Sequence, residues 1–407
     1  MPLTPDVCRI LTFSSLYPGI TQPSHGVFVE NRLRHLLAGN FVHGQVVAPV
    51  PWFPFSNPGF GRYAALARMP PLETRHGIEV AHPRYFAIPK LGMSTAPALL
   101  FAGALPSVWR RRRSFDLIDA HYFYPDGVAA ILLGRALNKP VVITARGTDI
   151  NLIPKYALPL RMIRFAARHA AGIIAVSQAL KDAMVELGIP PQRVTVLRNG
   201  VDLHMFRPED RAAARSALGL QGRVLLSVGH LIERKGHELI IGALPRLEDY
   251  SLLIVGEGPE RSGLERLARS LGVLDRVRLL GAVPHQNLRT IYSAADALVL
   301  ASSREGWPNV LLEAMACGTP VVASAVWGNS EVVSAPEAGV LLRERNVIAI
   351  AEAIEQLFGA LPSREATRAF AEQFSWDETS DGQIRLFQTI LSRRTGPREE
   401  AGLPFRG

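Results

Sequence analysis

Residues 296–320 read DALVLASSREGWPNVLLEAMACGTP, a stretch in which apolar runs alternate with turn-forming residues. The apolar run Asp296–Ala301 predicts a buried strand. Pro308 is well placed to begin a helix, because proline is tolerated in a first helical turn. Pro320 introduces a further apolar run, which predicts the next strand. A strand, a helix and a strand in this order are typical of a parallel βα unit.

Short apolar runs of this kind recur on both sides of the stretch, separated by segments of helical character. In the first half the predicted strands are Arg9–Ser14, Gln45–Val50, Asp116–His121, Pro140–Ala145, Gly172–Ser177 and Arg193–Leu197. In the second half they are Arg223–Gly229, Ser251–Gly256, Arg276–Gly281, Asp296–Ala301 and Pro320–Ser324. We therefore expect an α/β protein with two doubly wound, Rossmann-like domains that face a central cleft. Their predicted limits are residues 1–205 and 206–375, and the polar stretch Asp202–Gly222 is the predicted connection.

The composition narrows the class of protein. A length of 407 residues suits two domains, and a hydrophobic content of 48% suits packed cores rather than a disordered chain. Two cysteines, Cys8 and Cys317, are too few for a disulfide framework or a cysteine-rich zinc module. The first twelve residues lack the basic start and apolar run of a secretory signal, so we expect a reducing, cytoplasmic location. The uncharged run Leu91–Trp109 is long enough for a membrane span, but Pro97 and Pro106 argue against one.

Positive charge is concentrated in the first half. Residues 1–205 hold 22 Lys and Arg against 11 Asp and Glu, whereas the remainder holds 23 against 25. This asymmetry favours an anionic partner for the first half, either a nucleic acid or an anionic membrane surface. The densest cluster, Arg110–Arg113, fits a membrane-contact patch and a solvated helix end equally well. Binding to nucleic acid is not expected, because the basic residues lack an aromatic stacking platform and a recognisable binding motif.

The turn between the strand and the helix of residues 296–320 is the best candidate for a ligand site. Ligands of open parallel sheets bind beyond the carboxyl ends of the strands, which is where Glu305 and Gly306 lie. Backbone N–H groups near Asn309 and Val310 would form an anion site at the helix start, suited to a phosphate. Glu313 lies one helical turn further on the same face. Two carboxylates that flank a phosphate site could hold the hydroxyl groups of a sugar and of a ribose.

The spacing of Glu305 and Glu313 within EGWPNVLLE resembles the signature of the retaining glycosyltransferases of family four, which have the GT-B fold. Four further stretches resemble that family in the same order along the chain: DLIDAHYFYPDG at Asp116–Gly127, RNGVDLHMF at Arg198–Phe206, VGHLIERKG at Val228–Gly236 and VGEGPE at Val255–Glu260. The first-domain stretches HYFYPDG and ARGTD are most similar to the branch that builds bacterial surface polysaccharides, including the teichuronic acid and exopolysaccharide enzymes.

The resemblance implies a donor site built mainly by the second domain. Lys235 and Arg234 would bind the diphosphate, although the family usually has an Arg where this chain has His230. Glu257 would lie near the nucleotide. In the first domain Gly26 would lie beside the donor phosphate, where the family often has two adjacent glycines. The GEGP turn lacks the third glycine of a dinucleotide fingerprint, which disfavours a nicotinamide or flavin cofactor.

The resemblance also implies first-domain groups that reach across the cleft. His121, at the end of a predicted strand, would contact the transferred sugar or the leaving group. Arg146 stands where the family commonly has His, and together with Asp149 it would bind the acceptor. An internal ion pair between Arg146 and Asp149 is the alternative. The last helix, residues 376–393, would cross back to the first domain, and residues 394–407 would form a flexible tail.

By resemblance the chain transfers a sugar, with retention of configuration, from a nucleotide diphosphate sugar to a lipid-linked or polysaccharide acceptor of the cell surface. A UDP-sugar is the expected donor. Glu305 would orient the sugar and Glu313 the ribose, while Lys235, Arg234 and the helix start would stabilise the departing diphosphate. The resemblance implies no metal ion or other cofactor, and the chain has no Asp-x-Asp ligand pair. The enzyme would act in the cytoplasm, as a peripheral protein on the inner face of the membrane.

Two other classes of function remain open at this point. One is a sugar-nucleotide epimerase or a phosphorylase on the same fold. The other is a non-catalytic, nucleotide-binding scaffold of a polysaccharide assembly complex, an alternative that the presence of His230 in place of an Arg keeps open.

Overall fold

The structure is a computed structural model that describes residues 7–57, 59, 61–87 and 92–395. Its strands are β1 (Cys8–Phe13), β2 (Val42–Val47), β3 (Val50–Pro51), β4 (Leu72–Arg75), β5 (Ile78–Ala81), β6 (Arg84–Tyr85), β7 (Leu117–His121), β8 (Val141–Ala145), β9 (Gly172–Ala175), β10 (Val194–Val196), β11 (Arg223–Val228), β12 (Tyr250–Val255), β13 (Val277–Gly281), β14 (Ala297–Leu300), β15 (Val321–Ser324) and β16 (Gly339–Leu342).

The α-helices are α1 (Val27–Ala38), α2 (Arg62–Ala67), α3 (Gly92–Arg110), α4 (Val128–Leu137), α5 (Thr148–Asn151), α6 (Ala157–His169), α7 (Gln178–Glu186), α8 (Arg211–Leu218), α9 (His237–Ala243), α10 (Arg261–Ser270), α11 (Leu288–Ala294), α12 (Asn309–Ala316), α13 (Gly328–Val332), α14 (Val347–Gly359), α15 (Arg364–Ala371) and α16 (Trp376–Thr395).

The first half of the chain forms an eight-stranded sheet with the order β10-β9-β8-β7-β1-β2-β5-β4. All of its pairings are parallel except that of β4 with β5. Apolar side chains from both faces of β1 lie in separate cores, with Leu11 in one and Ile10 in the other. Strands β7 and β8 are buried along their whole length. Strand β8 is accordingly almost wholly apolar, whereas β7 also holds the buried polar residues Asp119 and His121.

The second half forms a six-stranded, wholly parallel sheet with the order β13-β12-β11-β14-β15-β16. Strand β11 pairs with β12 on one side and with β14 on the other, so the strand order reverses at β11. The loops that follow β11 and β14 therefore lie side by side at a topological switch point, the place where open α/β sheets bind their ligands.

The predicted strands are confirmed, with ends that differ by a few residues. The largest shift concerns Gln45–Val50, because β2 begins at Val42 and Val50 starts the separate short strand β3. Four short strands were not predicted: β4, β5, β6 and β16. The predicted connection Asp202–Gly222 contains α8, a helix whose first turn is capped by the side chain of Asp210, which accepts from Ala213 N at 3.0 Å.

The last helix, α16, lies against the first sheet. Phe387 and Ile390 share a core with Val29 and Leu33 of α1. Gln383 of α16 donates a hydrogen bond of 3.0 Å to Asp119 of β7. Residues 396–407 of the predicted flexible tail lie outside the described residues.

Helix α3 contains most of the uncharged run that was considered as a membrane span. Leu100, Ala104 and Val108 are buried in the core of the first half, and Pro97 and Pro106 lie inside the helix. None of the helices in the described ranges combines the length and the apolar character that a membrane crossing requires.

Candidate active site

A cavity of about 390 Å³ lies between the carboxyl edges of the two sheets. The first half contributes the segments after β1, β7, β8, β9 and β10, and the second half contributes the loops after β11 and β14. Eight of the residues predicted for the site line this cavity, namely Arg146, His230, Arg234, Lys235, Glu305, Gly306, Asn309 and Val310. Five do not, namely Gly26, His121, Asp149, Glu257 and Glu313.

Glu305 is held by two cations from the neighbouring loop. Lys235 Nζ lies 2.6 Å from Oε1 of Glu305, and Arg234 Nη1 lies 3.7 Å from Oε2. Burial acts to raise the pKa of Glu305, but Lys235 and Arg234 outweigh it and hold the pKa below its usual value. The carboxylate is therefore charged at neutral pH, and the three side chains form one charged group at the switch point.

The first turn of α12 lies beside this group. Asn309 and Val310 line the cavity, and Asn309 Oδ1 accepts a hydrogen bond of 3.2 Å from Asn199 Nδ2. Trp307 Nε1 donates to the carbonyl of Asn199 at 2.9 Å. Asn199 comes from the first half, so it joins the two halves at the helix start. The backbone N–H groups of this turn and the adjacent cations give the cavity an anion-binding character.

Gly306 is one point at which the backbones of the two halves come into close contact. A Cβ on Gly306 would lie 2.0 Å from the carbonyl oxygen of Arg146, and a Cβ on Gly147 would lie 2.9 Å from Cα of Gly306. Gly147 also has φ of 136°, a conformation that residues with a side chain rarely adopt. Gly306 was predicted to bind the donor. In the structure it lines the cavity and also allows the loops after β8 and β14 to meet.

Arg146 lines the cavity, whereas His121 lies behind it. His121 is only 1% exposed. Its Nε2–H donates to Asp119 Oδ2 at 3.1 Å, and its Nδ1 accepts from the Arg146 guanidinium. Arg146 also donates to Asn199 Oδ1 at 3.1 Å and lies over the Phe28 ring. Burial lowers the pKa of His121 to about 4 despite the opposing effect of Asp119, so the ring is neutral at pH 7. His121 thus supports Arg146, and its predicted contact with the transferred sugar stays a prediction.

Asp149 does not face the cavity, which corrects its predicted role in acceptor binding. The carboxylate is fully buried and accepts backbone N–H bonds from Phe123 at 2.6 Å, Gly147 at 2.7 Å and Arg146 at 3.1 Å. The alternative, an ion pair with the Arg146 side chain, is not formed either, because that guanidinium bonds His121 and Asn199. Asp149 instead holds the loop after β8 in shape.

His230 lines the cavity at the position where an Arg was expected. One ring nitrogen, Nδ1, lies 3.1 Å from the carbonyl oxygen of Glu257. The Glu257 side chain is exposed and lies outside the cavity. Gly256 allows a close approach within its own domain, because a Cβ there would lie 1.9 Å from the carbonyl oxygen of Gly229.

Glu313 lies on α12, away from the lining of the cavity. His285 Nε2 lies 2.9 Å from its Oε1, and Tyr292 donates its hydroxyl to Oε2 at 2.9 Å. Burial acts to lower the pKa of His285, but Glu313 outweighs it and raises the pKa. Both oxygens of Glu313 are therefore engaged, and a ribose would have to share them with His285 and Tyr292.

Gly26 begins α1 and shapes the loop after β1. It has φ of 73°, and a Cβ there would lie 2.3 Å from the carbonyl oxygen of Leu16. Leu16 and Phe28, on either side of Gly26, line the cavity, although Gly26 itself does not. The preceding His25 lies with Nε2 3.2 Å from the carbonyl oxygen of Ser15.

Several residues near the cavity were not predicted. Asn199 and Trp307 lie inside the quoted stretches RNGVDLHMF and EGWPNVLLE, but nothing in the spacing assigned them a role. Arg32 had a local signal, because it lies on the apolar face that Val29 and Leu36 define on α1, and there it is 1% exposed.

The comparisons with known proteins agree with this geometry. The family model "Glycosyl transferases group 1" matches residues 209–374, and the model "Glycosyltransferase Family 4" matches residues 58–205. The protein TuaC of Bacillus subtilis (strain 168), described as a teichuronic acid biosynthesis glycosyltransferase, is 28% identical over 405 residues, which cover 94% of this chain and 98% of TuaC. The D-inositol 3-phosphate glycosyltransferase of Mycobacterium leprae is 39% identical over 223 residues, which cover 51% of this chain and 52% of that protein.

Solved structures share the fold. Sucrose-phosphate synthase from Thermosynechococcus elongatus superposes with a TM-score of 0.77 at 21% identity, covering 95% of this chain and 99% of that one. HepE of Anabaena, in complex with UDP-glucose, superposes with a TM-score of 0.70 at 21% identity and the same coverage. The chain belongs to glycosyltransferase family four and is a glycosyltransferase with the GT-B fold.

Proposed function

We propose that this glycosyltransferase transfers a sugar from a UDP-sugar, with retention of configuration, to a lipid-linked or polysaccharide acceptor in bacterial cell-surface glycan synthesis. The observation that carries the proposal is the charged group of Glu305, Lys235 and Arg234 at the cavity, next to the start of α12. The similarity to TuaC over nearly the whole chain supports the type of product, and the UDP-glucose complex of the structural relative HepE supports the nucleotide.

The chemistry follows from where charge develops. When the bond between the sugar and the diphosphate breaks, negative charge grows on the phosphate oxygen that leaves. Lys235 and Arg234 are held at fixed positions by Glu305, and Arg234 is further fixed by a hydrogen bond of 2.9 Å to the carbonyl of Arg304. Preorganised cations stabilise such charge without reorganising during the reaction. We propose that they act without a metal ion or another cofactor.

Glu305 has a second role in this proposal. Its carboxylate faces the cavity in charged form and can accept hydrogen bonds from the sugar hydroxyls while it stabilises the positive charge that develops on the sugar ring. Because Lys235 already occupies Oε1 at 2.6 Å, Glu305 is better suited to orienting the sugar than to forming a covalent bond with it. We therefore favour attack by the acceptor from the face that the diphosphate leaves.

Among the described residues that line the cavity, Arg146 is the cation contributed by the first half. Asp149 is the described carboxylate nearest to Arg146 in sequence. Its oxygens accept hydrogen bonds from backbone N–H groups and do not pair with the Arg146 guanidinium. We propose that the Arg146 guanidinium binds the acceptor, which suits an acceptor with an acidic sugar or a phosphate.

We propose that the enzyme works at the cytoplasmic face of the membrane and that exposed aromatic residues at the cleft edge make the contact. Trp52 and Phe86 are 48% and 64% exposed, and their ring centroids lie 5.3 Å apart. They follow β3 and β6, which lie beyond the carboxyl ends of β2 and β5. Such rings favour the membrane interface, and the basic excess of the first half adds attraction to anionic lipid.

The predicted basic patch, Arg110–Arg113, lies further from the cleft. Tyr124, in the loop after β7, donates its hydroxyl to the carbonyl of Met93, which places the start of α3 at the carboxyl edge of the sheet. Arg110 ends this 19-residue helix, about 28 Å away along its axis. Arg111 of the patch is paired with Glu79 at 2.8 Å. The patch is thus a secondary site of attraction in our proposal.

The transfer reaction is tested by proton NMR of the purified enzyme with a UDP-sugar and an extract of lipid-linked acceptor. We expect release of UDP and a product with the same anomeric configuration as the donor. Isomerisation of the sugar nucleotide without transfer would favour the epimerase alternative, and phosphate-dependent cleavage of glycan would favour the phosphorylase.

A further inference from the structure

An unbroken chain of buried hydrogen bonds runs from α16 to the cavity. Arg32 of α1 donates from Nε to Gln383 Oε1 at 2.8 Å, and Gln383 Nε2 donates to Asp119 Oδ2 at 3.0 Å. His121 donates from Nε2 to the same Oδ2 at 3.1 Å, and Arg146 donates to Nδ1 of His121. Gln383 is 1% exposed, so water does not substitute for either of its partners.

The direction of every bond in this chain is determined by its members. Arg32 and Arg146 can only donate, and a charged Asp119 can only accept. The amide oxygen of Gln383 must therefore face Arg32, and its NH₂ group must face Asp119. By the same reasoning Nε2 of His121 carries the proton and Nδ1 offers a lone pair to Arg146. A protonated His121 would present an N–H to the guanidinium and break that contact.

Gln383 and His121 compete for one oxygen atom. Both donate to Oδ2 of Asp119, whereas Oδ1 has no hydrogen-bond partner among the described residues. When a carboxylate accepts a hydrogen bond from an imidazole alone, its negative charge stabilises the protonated imidazolium form of that ring. By taking a share of Oδ2, Gln383 weakens the pull of Asp119 on His121.

We propose that Gln383, on the last helix, is a positioning residue that keeps the His121 ring neutral. The neutral ring in turn holds the Arg146 guanidinium in place at the cavity. The effect of Gln383 on sugar transfer rests on the proposed function, whereas its effect on the protonation of His121 does not. The charged groups that face His121 are Asp119, Arg146 and Arg32. Burial and the two cations oppose protonation of the ring, and Asp119 favours it, so the balance depends on how Asp119 is shared.

The test is a titration of the His121 ring by ¹⁵N NMR between pH 5 and 8, in the full-length protein without substrate. The resonance is assigned by its loss in His121→Gln. In the wild type we expect a neutral ring with the proton on Nε2 throughout this range, consistent with a pKa of about 4. In Gln383→Met we expect the midpoint to rise by about 1 to 2 pH units.

A second variant and a control keep the test decisive. Gln383→Glu retains an acceptor for Arg32 and replaces the N–H that faces Asp119 by a second negative charge, so the midpoint should rise further. Gln388→Met changes an exposed position of the same helix, and in this variant the His121 ring should titrate as it does in the wild type. A His121 ring that stays neutral down to pH 5 in both folded Gln383 variants would overturn the proposal.

The catalytic consequence has a separate readout. Since Arg146 is assigned to the acceptor, Gln383→Met should raise KM for the acceptor at pH 6 more than at pH 8 and leave UDP binding unchanged. A shift in the His121 titration with no detectable transfer in the wild type would contradict the proposed function and leave the positioning role standing.

Discussion

Lys235 Nζ lies 2.6 Å from Oε1 of Glu305, and this contact joins the loop after β11 to the loop after β14 at the switch point of the second sheet. The lysine and the carboxylate are 14% and 10% exposed, so neither charge is fully solvated. The pairing stabilises both charges before any substrate arrives, and a bound diphosphate would share Lys235 with Glu305.

Glu305→Gln should destabilise the protein at neutral pH and reduce its sensitivity to acid. The substitution leaves Lys235 and Arg234 without their anion, at a cost of about 1 to 3 kcal/mol in the free energy of unfolding. The pKa of Glu305 is lower in the folded state than in the unfolded chain. Its stabilising contribution is therefore present above the unfolded pKa and lost as pH falls through the folded one.

This pH dependence is measured by urea unfolding at pH 7 and pH 3.5. The difference between the wild type and Glu305→Gln should shrink at the lower pH. Glu355→Gln, at an exposed position of α14, serves as the control and should follow the wild type at both pH values. An equal difference at both pH values would count against the charged state assigned to Glu305.

Asp126→Asn should become more stable, relative to the wild type, as pH rises. Burial raises the pKa of Asp126 to about 7, although hydrogen bonds from the backbone and hydroxyl of Ser15 oppose this. A raised pKa gives stability that is complete below the unfolded value and lost as pH rises through the folded value. From pH 5 to pH 9 the variant should gain on the order of 2 kcal/mol over the wild type. Parallel stability curves would refute this assignment.

Gly306→Ala should impair transfer by separating the two halves. A Cβ there would lie 2.0 Å from the carbonyl oxygen of Arg146, so the loops after β8 and β14 must move apart. We expect kcat/KM to fall at least tenfold and the free energy of unfolding to fall by about 1 to 3 kcal/mol. Gly359→Ala is the matched control, since a Cβ at Gly359 would meet no atom within 4 Å apart from its chain neighbours and the backbone of its own helix. Equal activities of the two variants would contradict the role given to this contact.

The double variant Trp52→Ser, Phe86→Ser should lose most of its binding to vesicles that contain anionic lipid, as measured by flotation. The double variant Arg110→Gln, Arg113→Gln should lose less, because each basic residue near the surface contributes about 1 kcal/mol at most. Only the binding that depends on arginine should weaken with salt. If the Trp52→Ser, Phe86→Ser variant floated with the vesicles as well as the wild type does, the membrane contact would lie elsewhere.

The fold was predictable because buried parallel strands are nearly continuous apolar runs, as in β8, β14 and β15. The strands β4, β5 and β16 lie towards sheet edges. Charged residues interrupt β4 (LETR) and β5 (IEVA), so neither forms an apolar run that would indicate a strand. Within the site, Glu305, Lys235, Arg234 and Asn309 were predicted because they follow the carboxyl ends of strands and carry the family resemblance.

The failures at the site share a physical cause, which is pairing between distant segments. Asp149 was assigned to the acceptor, but its carboxylate binds backbone N–H groups of Phe123, Arg146 and Gly147. The link from Gln383 to Asp119 joins residues 264 positions apart, and no local periodicity indicates it. Such contacts depend on how the last helix and the two sheets pack together.

The central claim is most directly tested by the thermal stability of the wild type and of Lys235→Ala with UDP, GDP, ADP and CMP. Lys155→Ala, at an exposed position of the first half, is the control. At a hundred times its dissociation constant UDP should stabilise the wild type and the control by about 2.7 kcal/mol, with little effect on Lys235→Ala. A folded wild type that none of the four nucleotides stabilises, or equal stabilisation of Lys235→Ala by UDP, would contradict the account.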